Sequence, residues 1–254
     1  MVLLVFIGHW KLTCLVNCYS KKMYPEICKI GPFTIYSYGL MLVVAFAVGS
    51  ALAVRAAKRN NFNPDTIFEL AFITFISGLV GARSFYIIEN LGYYIKRPLE
   101  IIMLQHGGLS WFGGLIFAVF VGIIYLKNKK LPVYKVLDLI IPFVALAQGI
   151  GRVGCLLNGC CFGRGSSLIP LQIYSSLLLI FIFIVLRLLQ DRPHRDGQIF
   201  FTYLLLYSVK RFFIEFWRAD NEIIFLNLTL FQLISVAIFC LSILKLLAIV
   251  KSKK

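Results

Sequence analysis

In the segment RFFIEFWRAD (211–220), Glu215 follows Arg211 by four residues and Arg218 follows Glu215 by three, so a continuous helix would put all three on one face. Inside an apolar helix the plain reading is a neutralised structural ion pair. Two guanidiniums around one carboxylate leave a positive charge over, however, and that favours an anion. Arginine suits phosphate because its planar fork offers paired donors and keeps its charge when partly dehydrated. A second arginine, Arg152, stands in QGIGRVGCLLNGCCFG (148–163) with Asn158 as the other polar member. Gly149, Gly151, Gly154, Gly159 and Gly163 would open that helix and let backbone approach a ligand, although membrane helices also use glycine for close packing.

Cys155, Cys160 and Cys161 invite a metal or redox reading, since thiolates bind zinc and exchange disulfides. Their spacing matches no familiar zinc pattern, no second Cys or His cluster completes four ligands, and no CxxC pair is present. Small thiols packed as apolar groups are the expectation, with no metal site. His106 precedes an apolar run beside Gly107 and Gly108, and a histidine at a helix mouth is either a structural hydrogen-bonding group or a proton acceptor. Glu69, Arg83 and Glu89 also lie in apolar surroundings, where an ionisable group costs roughly 2.5–3.5 kcal/mol on insertion scales and needs a partner or a purpose.

The elements that must carry these residues are membrane helices. Of 254 residues 60% are hydrophobic and 15% charged, more apolar surface than a soluble domain of this length can hide. Windows of about 20 residues give seven spans, near 34–54, 66–89, 109–126, 133–151, 170–189, 198–216 and 228–250. The stretch 91–105, aromatic and broken by Pro98, reads as interfacial. The surplus of 26 Lys and Arg over 11 Asp and Glu would suggest nucleic acid in a soluble protein, but here it sorts into connections. Arg55, Lys58 and Arg59, then Lys127, Lys129, Lys130 and Lys135, then Arg187, Arg192 and Arg195, then Lys251, Lys253 and Lys254 fall on one side of an odd-span protein.

The expected fold is therefore all-α and integral to the membrane: seven transmembrane helices with the N-terminus outside and the C-terminus cytoplasmic. Arg152, the Arg211–Arg218 group, Tyr38 and His106 then share the outer level. Residues 1–22 read as an N-terminal extension, with Met23 as a candidate physiological start, and 23–254 as a single transmembrane domain.

Taken together, YPEICKIGPFTIYSYGLM (24–41), GARSFYIIEN (81–90), HGGLSWFGGL (106–115), GRVGCLLNGCCFG (151–163), PLQIYSS (170–176), DGQIF and RFFIEFWRAD resemble, in order and spacing, bacterial prolipoprotein diacylglyceryl transferases. The resemblance implies a multi-pass plasma-membrane enzyme with an extracytoplasmic site. Such an enzyme moves the diacylglyceryl group of phosphatidylglycerol to the lipobox cysteine of a prelipoprotein signal peptide, forming a thioether and releasing glycerol phosphate without a cofactor. It gives Arg152 the lipid phosphate, Gly163 the close of the signature, and functional places to Arg211, Glu215, Arg218 and Tyr38. The residues themselves add His106, which is not the equivalent of the family histidine, to the candidate catalytic set, and Arg211, Asn158, Gly108 and Gly113 to the candidate lipid-binding set. Three positions depart from the family pattern: Phe112 stands where the family has a histidine, Cys155 where it has an asparagine, and Cys160 where it has an acidic residue. A diverged member acting on another donor or acceptor, and a non-catalytic lipid-binding or transport protein, are the alternatives.

Overall fold

The computed structural model describes residues 26–30, 33–101, 108–161, 163, 170–218, 223–225 and 228–251. In chain order these form β1 (Glu26–Ile30), β2 (Phe33–Tyr36), α1 (Ser37–Arg59), α2 (Pro64–Glu89), the short α3 (Leu91–Tyr94), a 3-10 turn (Pro98–Ile101), α4 (Trp111–Asn128), α5 (Val133–Asn158), α6 (Leu171–Gln190), α7 (Gln198–Phe216), β3 (Ile223–Phe225), β4 (Leu228–Thr229) and α8 (Leu230–Lys251). Six of them, α1, α2, α4, α5, α6 and α8, are long and apolar enough to cross a membrane. The 19-residue α7 coincides with the sixth expected span but carries Lys210, Arg211 and Glu215, and it is not among the six.

The fold is all-α as expected, with two short antiparallel hairpins beside the helices. β1 pairs with β2 in the register Lys29↔Thr34, and β3 with β4 in the register Phe225↔Leu228. Hydropathy had extended the first span back to residue 34, because a short apolar run does not distinguish strand from helix. The chain is still extended at Tyr36 and turns helical at Ser37.

The described residues fall into two compact units: those of Val54–Val133, and those of Val16–Ala53 together with Tyr134–Lys254. In the first, α2 and α4 pack closely through glycine. A Cβ at Gly81 would meet Phe117 Cβ at 2.4 Å, and one at Gly113 would meet the Gly81 carbonyl at 2.4 Å, so only glycine permits this helix separation. Arg83, 6% exposed, donates from Nε to the carbonyl of Ile101 (3.0 Å), from Nη1 to Gly108 (3.1 Å) and from Nη2 to Glu100, with its guanidinium over the Tyr94 ring. It thus fastens the 91–101 excursion to α2. Glu69 is paired with Lys129 (3.3 Å) and accepts from the Tyr125 hydroxyl, while Glu89 accepts from Ser110 Oγ (3.4 Å), so each ionisable group flagged in this stretch has a structural partner.

In the second unit Ile141 and Ala145 of α5, Ile182 and Leu186 of α6, and Ile199 and Tyr203 of α7 form one buried cluster. Asp138 of α5 caps α7 from outside, accepting the Gly197 and Phe200 backbone N–H groups at 2.6 and 2.8 Å; these amides have no intrahelical acceptor. The sequence reading had passed over Asp138. Outward faces stay apolar, with Leu241 and Leu244 of α8 62% and 63% exposed, as a lipid-facing helix requires.

Candidate active site

The site is built in the second unit from helix ends. α5 stops at Asn158 because Gly159 adopts φ 71°, the left-handed conformation that closes a helix. Gly159 N–H donates to Leu156 O (3.2 Å) and Cys160 N–H to Cys155 O (3.1 Å), the paired bonds of a Schellman cap. The chain folds back over the last turn of α5, and Cys161 follows at φ 63°, a strained value for a residue with a Cβ. The Sγ atoms of Cys155, Cys160 and Cys161 lie within 4.8 Å of one another. Hydrogen bonds from Cys155 and Cys160, followed by the charges of Arg218 and Arg152, draw the Cys161 thiol below its ordinary value against the opposing effect of burial.

Arg152, one and a half turns before the end of α5, lines a small open cleft with Cys161, Leu171, Gln172, Ser175, Arg211, Ile214 and Arg218. The two arginine-bearing segments recognised in the sequence therefore meet. Arg211 is held from two sides: Nη2 lies 3.2 Å from Glu215 Oε2, and its guanidinium sits 4.4 Å from the centre of the Phe231 ring on α8. The Glu215 side chain has no exposure and accepts from Thr229 Oγ1 at 3.1 Å, while Gln232 accepts the Thr229 N–H at 2.9 Å.

Arg218 is placed differently from the sequence expectation. α7 ends at Phe216, so the three charged residues do not share a continuous helical face. Arg218 pairs through its backbone with Gly163 and reaches the same cleft from an extended position. A Cβ at Gly163 would meet the Trp217 carbonyl at 3.1 Å, a tight contact that glycine avoids. Lys210, which the sequence reading had not singled out, is 6% exposed, 4.9 Å from the Tyr207 ring centre and within range of Arg152, Arg211 and Arg218. Its adjacency to Arg211 was the available signal, masked because neighbours on a helix face about 100° apart.

Tyr38 sits in the first turn of α1, against Gly154, whose Cβ would lie 3.5 Å from the Tyr38 ring, and in electrostatic range of Arg152 and the three thiols. Asn158 is the last residue of α5. Gly108 adopts φ 84° beneath Tyr86, and Gly113 faces Gly81, so packing within the first unit accounts for both. His106, residues 1–22 and Met23 lie outside the described residues.

Six helices long and apolar enough to cross a membrane, with Arg152, Arg211 and Arg218 lining one cleft at helix ends, describe a multi-pass membrane protein. Comparison with known proteins gives the family: residues 25–248 match prolipoprotein diacylglyceryl transferase. The chain belongs to that family. It is similar to the phosphatidylglycerol–prolipoprotein diacylglyceryl transferase of Lactiplantibacillus plantarum, 32% identical over 249 residues that cover 88% of each chain. The Staphylococcus aureus enzyme of the same name is 31% identical over 243 residues, 86% of each chain. That of Clostridium tetani is 32% identical over 216 residues, 78% of this chain and 86% of the relative.

Proposed function

We propose that this chain transfers the diacylglyceryl group of phosphatidylglycerol to the lipobox cysteine of a prelipoprotein, at the extracytoplasmic face of a bacterial plasma membrane. The observation that carries the reading is the convergence of Arg152, Arg211 and Arg218 on one cleft at the ends of membrane helices. Phosphodiester head groups occupy that depth, and guanidiniums match their geometry.

Seven spans belong to the same proposal, and the cleft supports them. α6 begins at it with Leu171 and Gln172, and α7 ends at it with Ile214. Between them the chain must leave and return, and the 19 residues of α7 at about 1.5 Å each nearly match a hydrocarbon core of about 30 Å. The basic connections lie at the opposite helix ends, which favours an outward-facing cleft by the positive-inside rule.

In the reaction the acceptor thiolate attacks the glycerol carbon, the carbon–oxygen bond to phosphate breaks, and glycerol phosphate leaves with one more negative charge. Arg152 and Arg211 stabilise that charge as it grows, an electrostatic effect worth roughly 3–4 kcal/mol per well-placed donor. Arg218 completes the grip, and Glu215 organises Arg211 without serving as a base, since both its neighbours hold it as an acceptor. Tyr38 packed on Gly154, Asn158 at the end of α5 and Gly163 paired with Arg218 adjoin the residues that line the cleft. The acceptor thiol, with an ordinary pKa near 8.5, ionises in the arginine field.

Arg152→Ala and Arg211→Ala should each lower transfer of labelled diacylglyceryl from phosphatidylglycerol to a prelipoprotein reporter roughly 100- to 1,000-fold in membranes. Near-normal transfer by both variants would overturn the phosphate role. Complementation of a strain depleted of its own transferase separates this activity from non-catalytic lipid binding.

A further inference from the structure

We infer that Cys155, Cys160 and Cys161 form a three-thiolate site for a zinc ion whose fourth position opens into the arginine-lined cleft, where the acceptor thiol of the proposed reaction would bind. The inference rests on that reading for the identity of the fourth ligand, and on this chain alone for the metal.

Zinc held by thiolates has bonds of about 2.3 Å in tetrahedral array, which puts the sulfurs about 3.8 Å apart. Three thiols already within 4.8 Å reach that spacing through small side-chain rotations. A disulfide would use two of them and strand the third, whereas a metal uses all three. The backbone is committed to the arrangement: the Schellman cap brings Cys160 over Cys155, and Cys161 accepts a left-handed φ of 63° to join them. Soft thiolates select zinc among the common divalent ions, and three protein ligands with one open position are the usual form of a reactive zinc site.

The direction of the open position comes from the lining. Cys161 borders the cleft with Arg152, Arg211 and Arg218, cations that offset the net negative charge of a zinc tris-thiolate. Gln172 fixes the turn by donating from Nε2 to Cys160 O at 2.6 Å, and it is 2% exposed on the cleft wall with its Oε1 buried and unpartnered. Coordination would ionise the acceptor thiol without a separate base. The thiol loses its proton to solvent on binding zinc. Its sulfur then forms the bond to the glycerol carbon as the carbon–oxygen bond to phosphate breaks, and the thioether departs from the metal.

The full chain, purified in detergent micelles under reducing conditions, would be analysed for zinc, then stripped with a chelator and titrated with zinc or cobalt chloride. The expected result is about one ion per chain, a thiolate-to-cobalt charge-transfer band, and affinity lowered roughly 100-fold or more by Cys155→Ser, Cys160→Ser or Cys161→Ser but not by Cys240→Ser. Because the titration of the unsubstituted protein stands by itself, a variant that fails to fold does not decide the matter. No retained metal with all three cysteines titrating as free thiols would overturn the site, as would a disulfide among them. Adding a lipobox peptide to the cobalt protein should change its visible spectrum, and the same peptide with serine for cysteine should not; identical spectra would overturn the open position. Metal bound by a protein that transfers no diacylglyceryl group would sink the proposed reaction and leave the zinc site standing.

Discussion

Glu215 is the residue on which the cation cluster depends. Its side chain is fully enclosed, it faces Arg211 at 3.2 Å, and Thr229 supplies its other bond. Removing one member of a buried ion pair leaves the other uncompensated, which costs about 3–5 kcal/mol, whereas losing a single hydrogen bond to a charged group costs about 1.5–3 kcal/mol. Glu215→Gln should therefore destabilise the protein more than Thr229→Val, read from thermal unfolding in detergent. Both should raise the KM for phosphatidylglycerol, because Arg211 would lose its fixed direction. Equal stability of Glu215→Gln and the unsubstituted protein would mean that Arg211 is neutralised by other means. The arginines and Glu215 were legible in the sequence because charge in an apolar helix stands out against its surroundings. Lys210 was not, since its position beside Arg211 suggested a different helix face.

At the scale of elements, the end of α5 decides whether the thiols meet. On a continued helix, residues five and six positions apart point about 140° and 240° away from the first, so Cys155, Cys160 and Cys161 would face three directions. The sequence suggested apolar packing groups because the spacing matches no familiar zinc pattern and no second Cys or His cluster completes four ligands. The Schellman cap replaces the continued helix with a reversal at Gly159. A helix end likewise explains Arg218: three residues after Glu215 implied a common face, but α7 ends at Phe216. Helix positions themselves were legible, because a span of apolar residues has few alternatives in a bilayer. β2 and β4 were not, since these short runs adjoin the helices and merge with the spans that hydropathy reads. Gly159→Ala forces a Cβ into a left-handed residue at a cost of roughly 1–2 kcal/mol. It should lower zinc affinity about tenfold if that cost falls on the metal-bound form. Gly151→Ala is the internal control, as its Cβ meets nothing within 4 Å and alanine is the better helix former. Equal effects of the two substitutions would detach the cap from the thiol cluster.

For the whole molecule the open matter is which way the cleft faces and how many times the chain crosses. Tyr38 begins α1, Arg152 and Asn158 end α5, Gln172 begins α6, Arg211 and Glu215 end α7, and Thr229 precedes α8. Helices that start at one level and helices that finish there alternate along the chain, as a serpentine crossing of one bilayer demands. α7 is the weak link by composition, and the proposed crossing is what would return the chain from α6 so that Arg211 and Leu171 border one cleft. Its three charged residues, Lys210, Arg211 and Glu215, lie in its second half and turn into the unit, where insertion costs are met by partners rather than by lipid. Topology reporters fused after Asp196 and after Glu222 test this directly. The first should give a fluorescent cytoplasmic reporter and an inactive secreted phosphatase, and the second the reverse. A fusion at Lys254 should again report the cytoplasm. Matching signals at 196 and 222 would reduce the crossings to six, put the last helix in the opposite sense, and place the arginines on the wrong side for an acceptor cysteine that arrives from a secreted precursor.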